Sequence, residues 1–322
     1  MKSFTNLSVL FVVMVYICVN VCYSSFSGDD AGTTSAQFLK IGVGARAIGM
    51  GEAYGAISDD VNAIYWNPAG LNKLSGKEAS LMHCIWFEDI NYEHVAYAQP
   101  TKMGIFGGAI NYLSMNGIEK YNNQGNASGE KFTPTDLAIT ISYAVKMENI
   151  SLLENILLGA NLKYISSTID DASASAVALD IGGIYDKLQI ANRTLQIGLV
   201  FQNIGTSMKF SKEDCPLPMN IKVGSAYTLE LGGSPLLIGL DINVPIDNEI
   251  RANLGVEYTR SFKEEFKIGP RLGYKTNNKE LGGLSGLSVG VGFGFRRYGF
   301  DYAWVPYGDL GITHCISISA KF

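Results

Sequence analysis

Apolar side chains alternate with polar or small ones along most of the chain, from about residue 79 to residue 322. Successive side chains of a β-strand point to opposite faces, so a period of two predicts strands that each carry one apolar face. The apolar set of one such segment is Leu137, Ile139, Ile141, Tyr143, Val145 and Met147. The chain is therefore predicted to be all-β, with apolar faces that cover either a protein core or lipid.

The number and length of these segments favour a barrel that crosses a membrane. We count about fourteen, most of roughly 9 to 13 residues, which is the length that spans a bilayer at the usual tilt. The predicted strands are 79–87, 90–99, 103–115, 135–147, 156–168, 176–187, 194–204, 218–230, 235–246, 250–262, 265–275, 286–296, 297–305 and 312–322. Residues 79–322 are thus predicted to form a transmembrane antiparallel β-barrel of about 14 strands, an even number as single-chain bacterial barrels require.

The predicted links fall into two alternating sets of different length. One set includes the tight links 100–102, 231–234, 263–264 and 296–297, and the other includes the long links 116–134, 205–217 and 276–285. Short periplasmic turns and longer outer loops are the rule in outer-membrane barrels. A soluble sandwich has no reason to sort its loops in this way.

The two ends of the chain carry targeting signals. An almost unbroken apolar run from Leu7 to Val21 follows Lys2, and small residues come next, which predicts a secretory signal peptide over residues 1–24. The last alternating strand stops on Phe322, a pattern that resembles the signal read by the outer-membrane insertion machinery. The predicted location is the outer membrane, with that machinery and the membrane lipid as partners.

Composition agrees with this location and narrows the chemistry. Charged residues make up 17% of the chain, less than the usual quarter of a soluble domain. The net charge of −5 gives no reason to expect nucleic acid. Composition alone leaves a soluble all-β protein open. Cys84, Cys215 and Cys315 are far apart and lack CxxC spacing, which argues against a disulfide framework and against a zinc site.

Residues 25–78 do not alternate and are predicted to plug the barrel. Gly and Ala crowd the part around residues 42–56, and small residues let backbones approach closely. Because about fourteen strands enclose more space than their own side chains fill, something must occupy the lumen. The run from Asn67 and Pro68 to Gly70 is turn chemistry and is predicted to be the hinge into the first strand.

The stretch "FLKIGVGARAIGMGEAYGAISDDVNAIYWNPAGL" closely resembles the N-terminal signature of the PorV/PorQ family of outer-membrane barrels. It is similar, more loosely, to the FadL-type hydrocarbon transporters, which share the acidic residue and the Asn-Pro-Ala-Gly pattern. Stretches such as "PLPMNIKVGSAY" and "FDYAWVPYGDLGITHCISIS" extend the resemblance over nearly all of the chain after the leader. The resemblance implies a FadL-like barrel with an N-terminal hatch. It also implies a role in type IX protein secretion, in which the barrel binds the secretion pore or the C-terminal domains of exported proteins.

Two pairs of titratable residues could bind a ligand. Asp59 and Asp60 could hold a cation or act as an acid–base pair, but we favour a structural role. In that role they would cap a helix before Val61, or pair with Arg46 or with another cation in the lumen. His83 and His94 are expected to face each other across the first hairpin. Two ligands make a poor metal site and no third is evident, so no metal is predicted.

None of the three His has a recognisable Ser or Cys partner, so neither an enzyme nor a cofactor is expected.

Two functions from different classes remain open. The favoured function is a secretion accessory that offers the links 116–134 and 205–217 to a pore subunit or to exported cargo. The alternative is FadL-like transport of hydrophobic small molecules, which needs an apolar pocket. Inward positions such as Lys163 and Glu257 are mostly polar, which favours the first function.

Overall fold

A computed structural model of the protein describes residues 30–147, 155–190, 193–262, 265–276 and 282–322. The predicted signal peptide lies outside these residues. Within them most of the chain is β-strand. None of the described helices has the length and apolar character needed to cross a membrane.

Seventeen strands are described, fifteen in one sheet and two in a separate hairpin. The first nine are β1 (Glu78–Ile85), β2 (Ile90–Thr101), β3 (Gly104–Met115), β4 (Ile118–Tyr121), β5 (Ala127–Phe132), β6 (Thr135–Lys146), β7 (Ile156–Ile169), β8 (Ala172–Ile190) and β9 (Arg193–Gly205). The others are β10 (Asn220–Leu231), β11 (Ser234–Pro245), β12 (Arg251–Tyr258), β13 (Arg260–Phe262), β14 (Phe266–Lys275), β15 (Leu287–Phe295), β16 (Tyr298–Pro306) and β17 (Ile312–Lys321).

The large sheet closes into a barrel of fourteen antiparallel strands. Strand β1 pairs with β17, and β12 and its continuation β13 both pair with β14, so these two count as one strand of the wall. The predicted fold class and strand number are confirmed. Two details differ from the prediction: the link 116–134 contains the hairpin β4–β5, and Thr259 interrupts the predicted strand 250–262.

The barrel has two unlike ends. At the turn end, links such as Thr101–Gly104 and Leu231–Ser234 are tight, and the C-terminal Phe322 lies there. The loop end carries the long links 116–134 and 205–217. The tight links 101–104 and 231–234 and the long links 116–134 and 205–217 therefore lie at opposite ends, as the sequence predicts, and the turn end corresponds to the periplasmic end of outer-membrane barrels.

The two faces of the wall differ as the alternation predicts. Large apolar side chains such as Leu81 (56% exposed) and Ile141 (63%) point outward. The buried inward positions include polar and charged residues, among them Thr140, Asn161, Lys163, Asp180, Asn253 and Glu257. An apolar outer band around a polar interior is the arrangement that lipid requires of a barrel.

Residues 30–77, which we call the N-terminal segment, contain only short helices. These are the 3₁₀ helices Gln37–Lys40 and Pro68–Lys73 and the α-helices α1 (Ala45–Gly49) and α2 (Ala63–Trp66). A further 3₁₀ turn, Gly308–Leu310, precedes β17. Most residues of this segment are buried.

The structure corrects the prediction that the cysteines form no disulfide. Cys84 of β1 and Cys315 of β17 are directly opposite in the ladder, with Cα atoms 4.0 Å apart, and they form a disulfide bond. Sequence separation misled the prediction because barrel closure brings the first and last strands together. Cys215 is the free cysteine of the described residues.

The expected meeting of His83 and His94 is also wrong. In the ladder between β1 and β2, His94 lies opposite Met82, and His83 lies opposite Glu93. The link between the strands is longer than a two-residue turn, with Glu88 and its neighbour in left-handed conformations. A register shift of one residue sends two side chains to opposite faces.

Candidate functional site

The N-terminal segment makes hydrogen bonds at both ends of the barrel. At the loop end, Thr34 Oγ1 donates to Asp247 Oδ2 at 2.5 Å, and the Ser35 N–H donates to the Pro216 carbonyl at 2.8 Å. At the turn end, the Phe322 N–H donates to the Lys77 carbonyl at 2.8 Å. The residues between these two anchors are mostly buried against the inner face of the wall.

Glycines allow the segment and the wall to approach closely. A Cβ atom added to Gly290 of β15 would lie 3.0 Å from the Gly49 Cα. One added to Gly273 of β14 would overlap the backbone at Gly51. The crowding of small residues noticed in the sequence is therefore matched by small residues on the wall, and larger side chains on either side would push the two backbones apart.

Arg46 of α1 is the centre of a partly buried ionic network. Its Nε donates to Glu257 Oε2 at 2.9 Å and its Nη2 donates to Oε1 at 2.8 Å, a bidentate pair. Its Nη1 donates to Asp59 Oδ1 at 2.5 Å and lies 3.5 Å from Asp60 Oδ2. Of the candidate residues, Arg46, Asp59 and Asp60 are thus brought together in one cluster.

The network continues along the wall. Glu257 also accepts from Arg271 Nε at 2.5 Å, and Arg271 Nη1 donates to Asp301 Oδ1 at 2.6 Å. Tyr54 bridges the same cluster from the segment, since its hydroxyl donates to Asp60 Oδ2 at 2.7 Å and accepts from Arg46 Nη1 at 2.8 Å. The interior therefore ties three strands to the segment through alternating charges.

The charges of this cluster are held in place. Burial would raise the pKa of Asp59, but the Arg46 guanidinium outweighs it and holds that pKa below its ordinary value. Asp60 differs, because burial raises its pKa above the ordinary value despite the attraction of Arg46. Burial also opposes the charge of Arg46, yet Asp59 and Glu257 raise its pKa. Arg46 accordingly stays charged and fixes the ionised Asp59.

Asn67 fastens the end of α2 to the wall. Its Nδ2 donates to the Gly55 carbonyl at 2.8 Å and to the Gly183 carbonyl at 3.3 Å. Its Oδ1 accepts from the Ala69 N–H at 3.1 Å, so it caps the 3₁₀ helix that Pro68 begins. Gly70 sits against the backbone of Ser58, where a side chain would overlap the Ser58 carbonyl.

Sequence reasoning missed the anchors on β10, β11 and the link that follows β11. The Asp241 carboxylate accepts from the Tyr54 and Gly55 N–H groups, at 2.9 and 2.7 Å, and lies 3.7 Å from Lys222 Nζ. Asp247 accepts from Lys40 as well as from Thr34. The signal available in the sequence was only that both carboxylates lie in or beside a strand. No pattern identifies a partner that lies 187 positions away, as for Asp241 and Tyr54, or 207 positions away, as for Asp247 and Lys40.

A cavity of about 40 Å³ lies at the loop end beside the segment. Four cations border it, namely Lys40, Lys222, Arg251 and Lys275. Glu52 is held there by Lys275 Nζ at 2.8 Å. Burial would raise the pKa of Glu52, but the Lys275 ammonium lowers it below the ordinary value. Such a lining favours water or an anionic group over a hydrocarbon.

A larger cavity of about 570 Å³ lies at the turn end. Charged side chains border it, including Arg46, Asp59, Lys73 and Asp186, together with Leu157 and Leu237. Lys73 closes one side, where its Nζ donates to the Ile57 carbonyl at 2.6 Å. This cavity is therefore polar and lies on the turn-end side of the N-terminal segment.

The histidines of the described residues serve local contacts. His94 Nδ1 lies 3.2 Å from Asn111 Oδ1 in the interior, and His83 Nδ1 lies 2.6 Å from Glu93 Oε1 on the outer face. His314 Nδ1 lies 2.7 Å from the Tyr302 hydroxyl. In the part of the chain that the structure describes, no group of three or more His, Cys, Asp and Glu could hold a metal ion.

Solved structures of the same fold are outer-membrane channels. The Pseudomonas putida toluene transporter TodX aligns with a TM-score of 0.58 and 10% identity, over 87% of this chain and 98% of that chain. The Ralstonia pickettii toluene transporter TbuX gives 0.57 and 12%, and a Pseudomonas aeruginosa FadL homologue gives 0.52 and 10%, each over 87% of this chain and 98% of its own. The fold is therefore that of a FadL-like outer-membrane β-barrel.

The family follows from the sequence comparison. A search of curated proteins gives no match. Residues 25–244, more than half of the chain, match the family described as type IX secretion system protein PorV. The chain belongs to the PorV family, as the resemblance of its N-terminal signature predicts, and its barrel fold points to the outer membrane.

Proposed function

We propose that this protein is an outer-membrane accessory of type IX protein secretion, which binds a pore subunit or exported proteins at its loop end. We further propose that it is exported with a cleaved signal peptide, that the N-terminal segment plugs its lumen, and that it catalyses no reaction. Membership of the PorV family supports the link to secretion. The barrel would then act through the partners that it holds rather than through what it conducts.

The observation that carries this proposal is the occupied, charged interior. A binding pocket for a small hydrophobic molecule is usually apolar and encloses roughly 300 Å³ or more. The loop-end cavity is about 40 Å³ and is bordered by Lys40, Lys222, Arg251 and Lys275. Below it, Arg46 and Glu257 bridge the segment and the wall. Hydrocarbon passage along this axis would have to break buried ion pairs, which is costly.

The outer links offer the surface that such a partner needs. The hairpin β4–β5 lies in the link 116–134 and carries Tyr121, 64% exposed, and Ile118. Lys120 of this hairpin pairs with Asp170 of the neighbouring link between β7 and β8, so the hairpin is held against the barrel. An exposed aromatic residue on a supported hairpin is a suitable anchor for a protein partner.

FadL-like transport is the second candidate, and the turn-end cavity favours it. Its volume of about 570 Å³ would accommodate a small hydrophobic molecule, although charged side chains border it. This function requires the N-terminal segment to move, because the segment separates that cavity from the loop end. It also requires a bound hydrophobic ligand in the purified protein.

A pull-down from outer membranes in mild detergent, with bound proteins and lipids identified by mass spectrometry, tests the two functions. We expect a large pore subunit, or exported proteins that share a C-terminal domain, in near-equal amount to the barrel. An Ile118→Ser/Tyr121→Ser variant should lose the partner, whereas Met103→Ser, an exposed position in a tight link at the turn end, should keep it. A barrel that purifies alone with a fatty acid or hydrocarbon would overturn the secretion role.

A further inference from the structure

The disulfide between Cys84 and Cys315 lies across the seam where the barrel closes. Strands β1 and β17 form a ladder of paired residues from Glu78–Lys321 to Ile85–His314, and the two cysteines are partners in it. Both are buried on the inner face. They belong to one apolar cluster with Phe38 and Val43, so the bond shares its surroundings with part of the N-terminal segment.

This bond converts the wall of the barrel into a covalent ring. It joins two residues 231 positions apart in sequence, and the chain between them forms the remaining strands. The N-terminal segment begins beside Asp247 at the loop end and reaches Phe322 at the turn end, so it runs through that ring. The covalent ring therefore surrounds the N-terminal segment of the same chain.

The seam between β1 and β17 is the natural place for such a barrel to open. Other neighbouring strands of the wall follow each other in sequence and are joined by a link, whereas no link joins β1 to β17. Strand β1 has 8 residues, whereas β2 and β3 have 12 each. It also continues directly from the segment, so separation of β1 would draw the segment sideways out of the lumen.

We propose that the Cys84–Cys315 disulfide is a lock that traps the N-terminal segment inside the closed barrel. With the bond formed, the segment cannot leave through the seam and can move only along the barrel axis. This inference rests on an occupied lumen but not on any secretion partner. Its tests are independent of the proposed role in secretion.

The chemistry of disulfide formation places this step after barrel closure during assembly. The Cys84 and Cys315 thiols lose two protons and two electrons, and a disulfide-bearing thiol oxidase accepts the electrons as its own disulfide becomes two thiols. Cysteines so distant in sequence meet only when β1 pairs with β17 in register. Oxidation therefore follows closure around the segment, and Cys215, in the outer link between β9 and β10, is excluded from the bond by position.

The first test establishes the ring. A protease site is inserted in the link 205–217 of the full-length protein, and the cut protein is compared on denaturing gels with and without reductant. We expect one band without reductant and two with it, in the wild type and in a Cys215→Ser control. Two bands without reductant, or free thiols at both Cys84 and Cys315 in protein taken from outer membranes, would overturn the lock.

The second test asks whether the ring holds the segment. Hydrogen exchange of residues 38–66 is followed by mass spectrometry in Cys215→Ser and in Cys215→Ser/Cys84→Ser/Cys315→Ser. We expect at least about tenfold faster exchange in the triple variant, and an unfolding temperature lower by about 10 °C. Exchange in the hairpin β4–β5, which lies in the outer link 116–134 away from the segment, should be unchanged.

A second preparation keeps this test decisive if the triple variant does not assemble. Folded Cys215→Ser protein is reduced with a small phosphine, and gels confirm loss of the bond. The same faster exchange of residues 38–66 is expected after reduction. Equal exchange in the reduced and oxidised forms would show that the ladder alone retains the segment, and the proposal would be wrong.

Discussion

Arg46 of the N-terminal segment and Glu257 of β12 form a bidentate ion pair inside the barrel, with N–O distances of 2.9 and 2.8 Å. The carboxylate of Glu257 is also held by Arg271, and the guanidinium of Arg46 is also held by Asp59. The pair is a strong polar connection between the segment and the wall, because it is bidentate and both charges are largely buried.

Loss of one partner of this pair should destabilise the protein strongly. An Arg46→Met variant leaves Glu257 with one cation fewer in the interior, and breaking a buried pair costs about 3–5 kcal/mol. The apparent unfolding temperature in detergent should fall accordingly. Arg296→Gln, which removes an exposed pair with Glu265, should change the stability by less than about 1 kcal/mol. Equal stability of Arg46→Met and the wild type would mean that this pair does not anchor the segment.

Substitution of two adjacent glycines of β8 by alanine should affect the stability of the protein differently. A Cβ on Gly182 would overlap Asn67 Oδ1, whereas one on Gly183 meets nothing closer than 3.8 Å. Gly182→Ala is expected to cost about 1–3 kcal/mol through overpacking. Gly183→Ala should leave the unfolding temperature unchanged or slightly higher. Similar effects of the two substitutions would contradict the close contact between segment and wall.

Both the oxygen and the nitrogen of the Asn67 side-chain amide should contribute to the stability of the protein. Asn67→Asp keeps an oxygen for the Ala69 N–H but replaces the donor to the Gly55 and Gly183 carbonyls. Leaving buried carbonyls without a donor costs about 1–3 kcal/mol, so Asn67→Asp and Asn67→Ala should both lower the unfolding temperature. The Asp variant should be the less stable at neutral pH and should recover partly on acidification, since a protonated carboxyl can donate. A stable Asp variant at neutral pH would contradict these contacts.

Docking of the segment at the loop end should weaken in acid. Burial would raise the pKa of Asp247, but hydrogen bonds from Lys40, Thr34 and Gln37 outweigh it and lower that pKa. The carboxylate therefore stabilises the docked form fully above about pH 4, and this contribution is lost as the pH falls through the lower folded value. Proteolysis of residues 30–40 should rise in that range. An Asp247→Asn variant should be cleaved readily at all pH values, and a pH profile parallel to that of the wild type would refute the assignment.

Most of the wall could be predicted because its pattern is local. Alternation places Ile141 outward and Thr140 inward without knowledge of any partner, and lipid on one side with polar groups on the other enforces that pattern. The register of the first hairpin could not be predicted in the same way. It depends on the conformation of Glu88 and Asp89, both in the left-handed region, which residue type alone does not specify.

The interior contacts depend on closure, and closure is not a local property. Of the partners of Arg46, Asp59 was foreseen because it is near in sequence, while Glu257 lies 211 positions away. Cys84 and Cys315 could have been paired from the sequence, since antiparallel pairing of the first and last predicted strands already brings them close. Distance in sequence does not keep two cysteines apart in a chain whose first and last strands pair.

The most direct test of the central claim, that the N-terminal segment fills the barrel, is the ion current of the purified protein in a planar lipid bilayer. An open porin reconstituted in the same way serves as the reference. We expect no steady current, because the Arg46–Glu257 pair and the close backbone contacts hold the segment in the lumen. A steady, voltage-independent current comparable to that of the open porin would contradict the account.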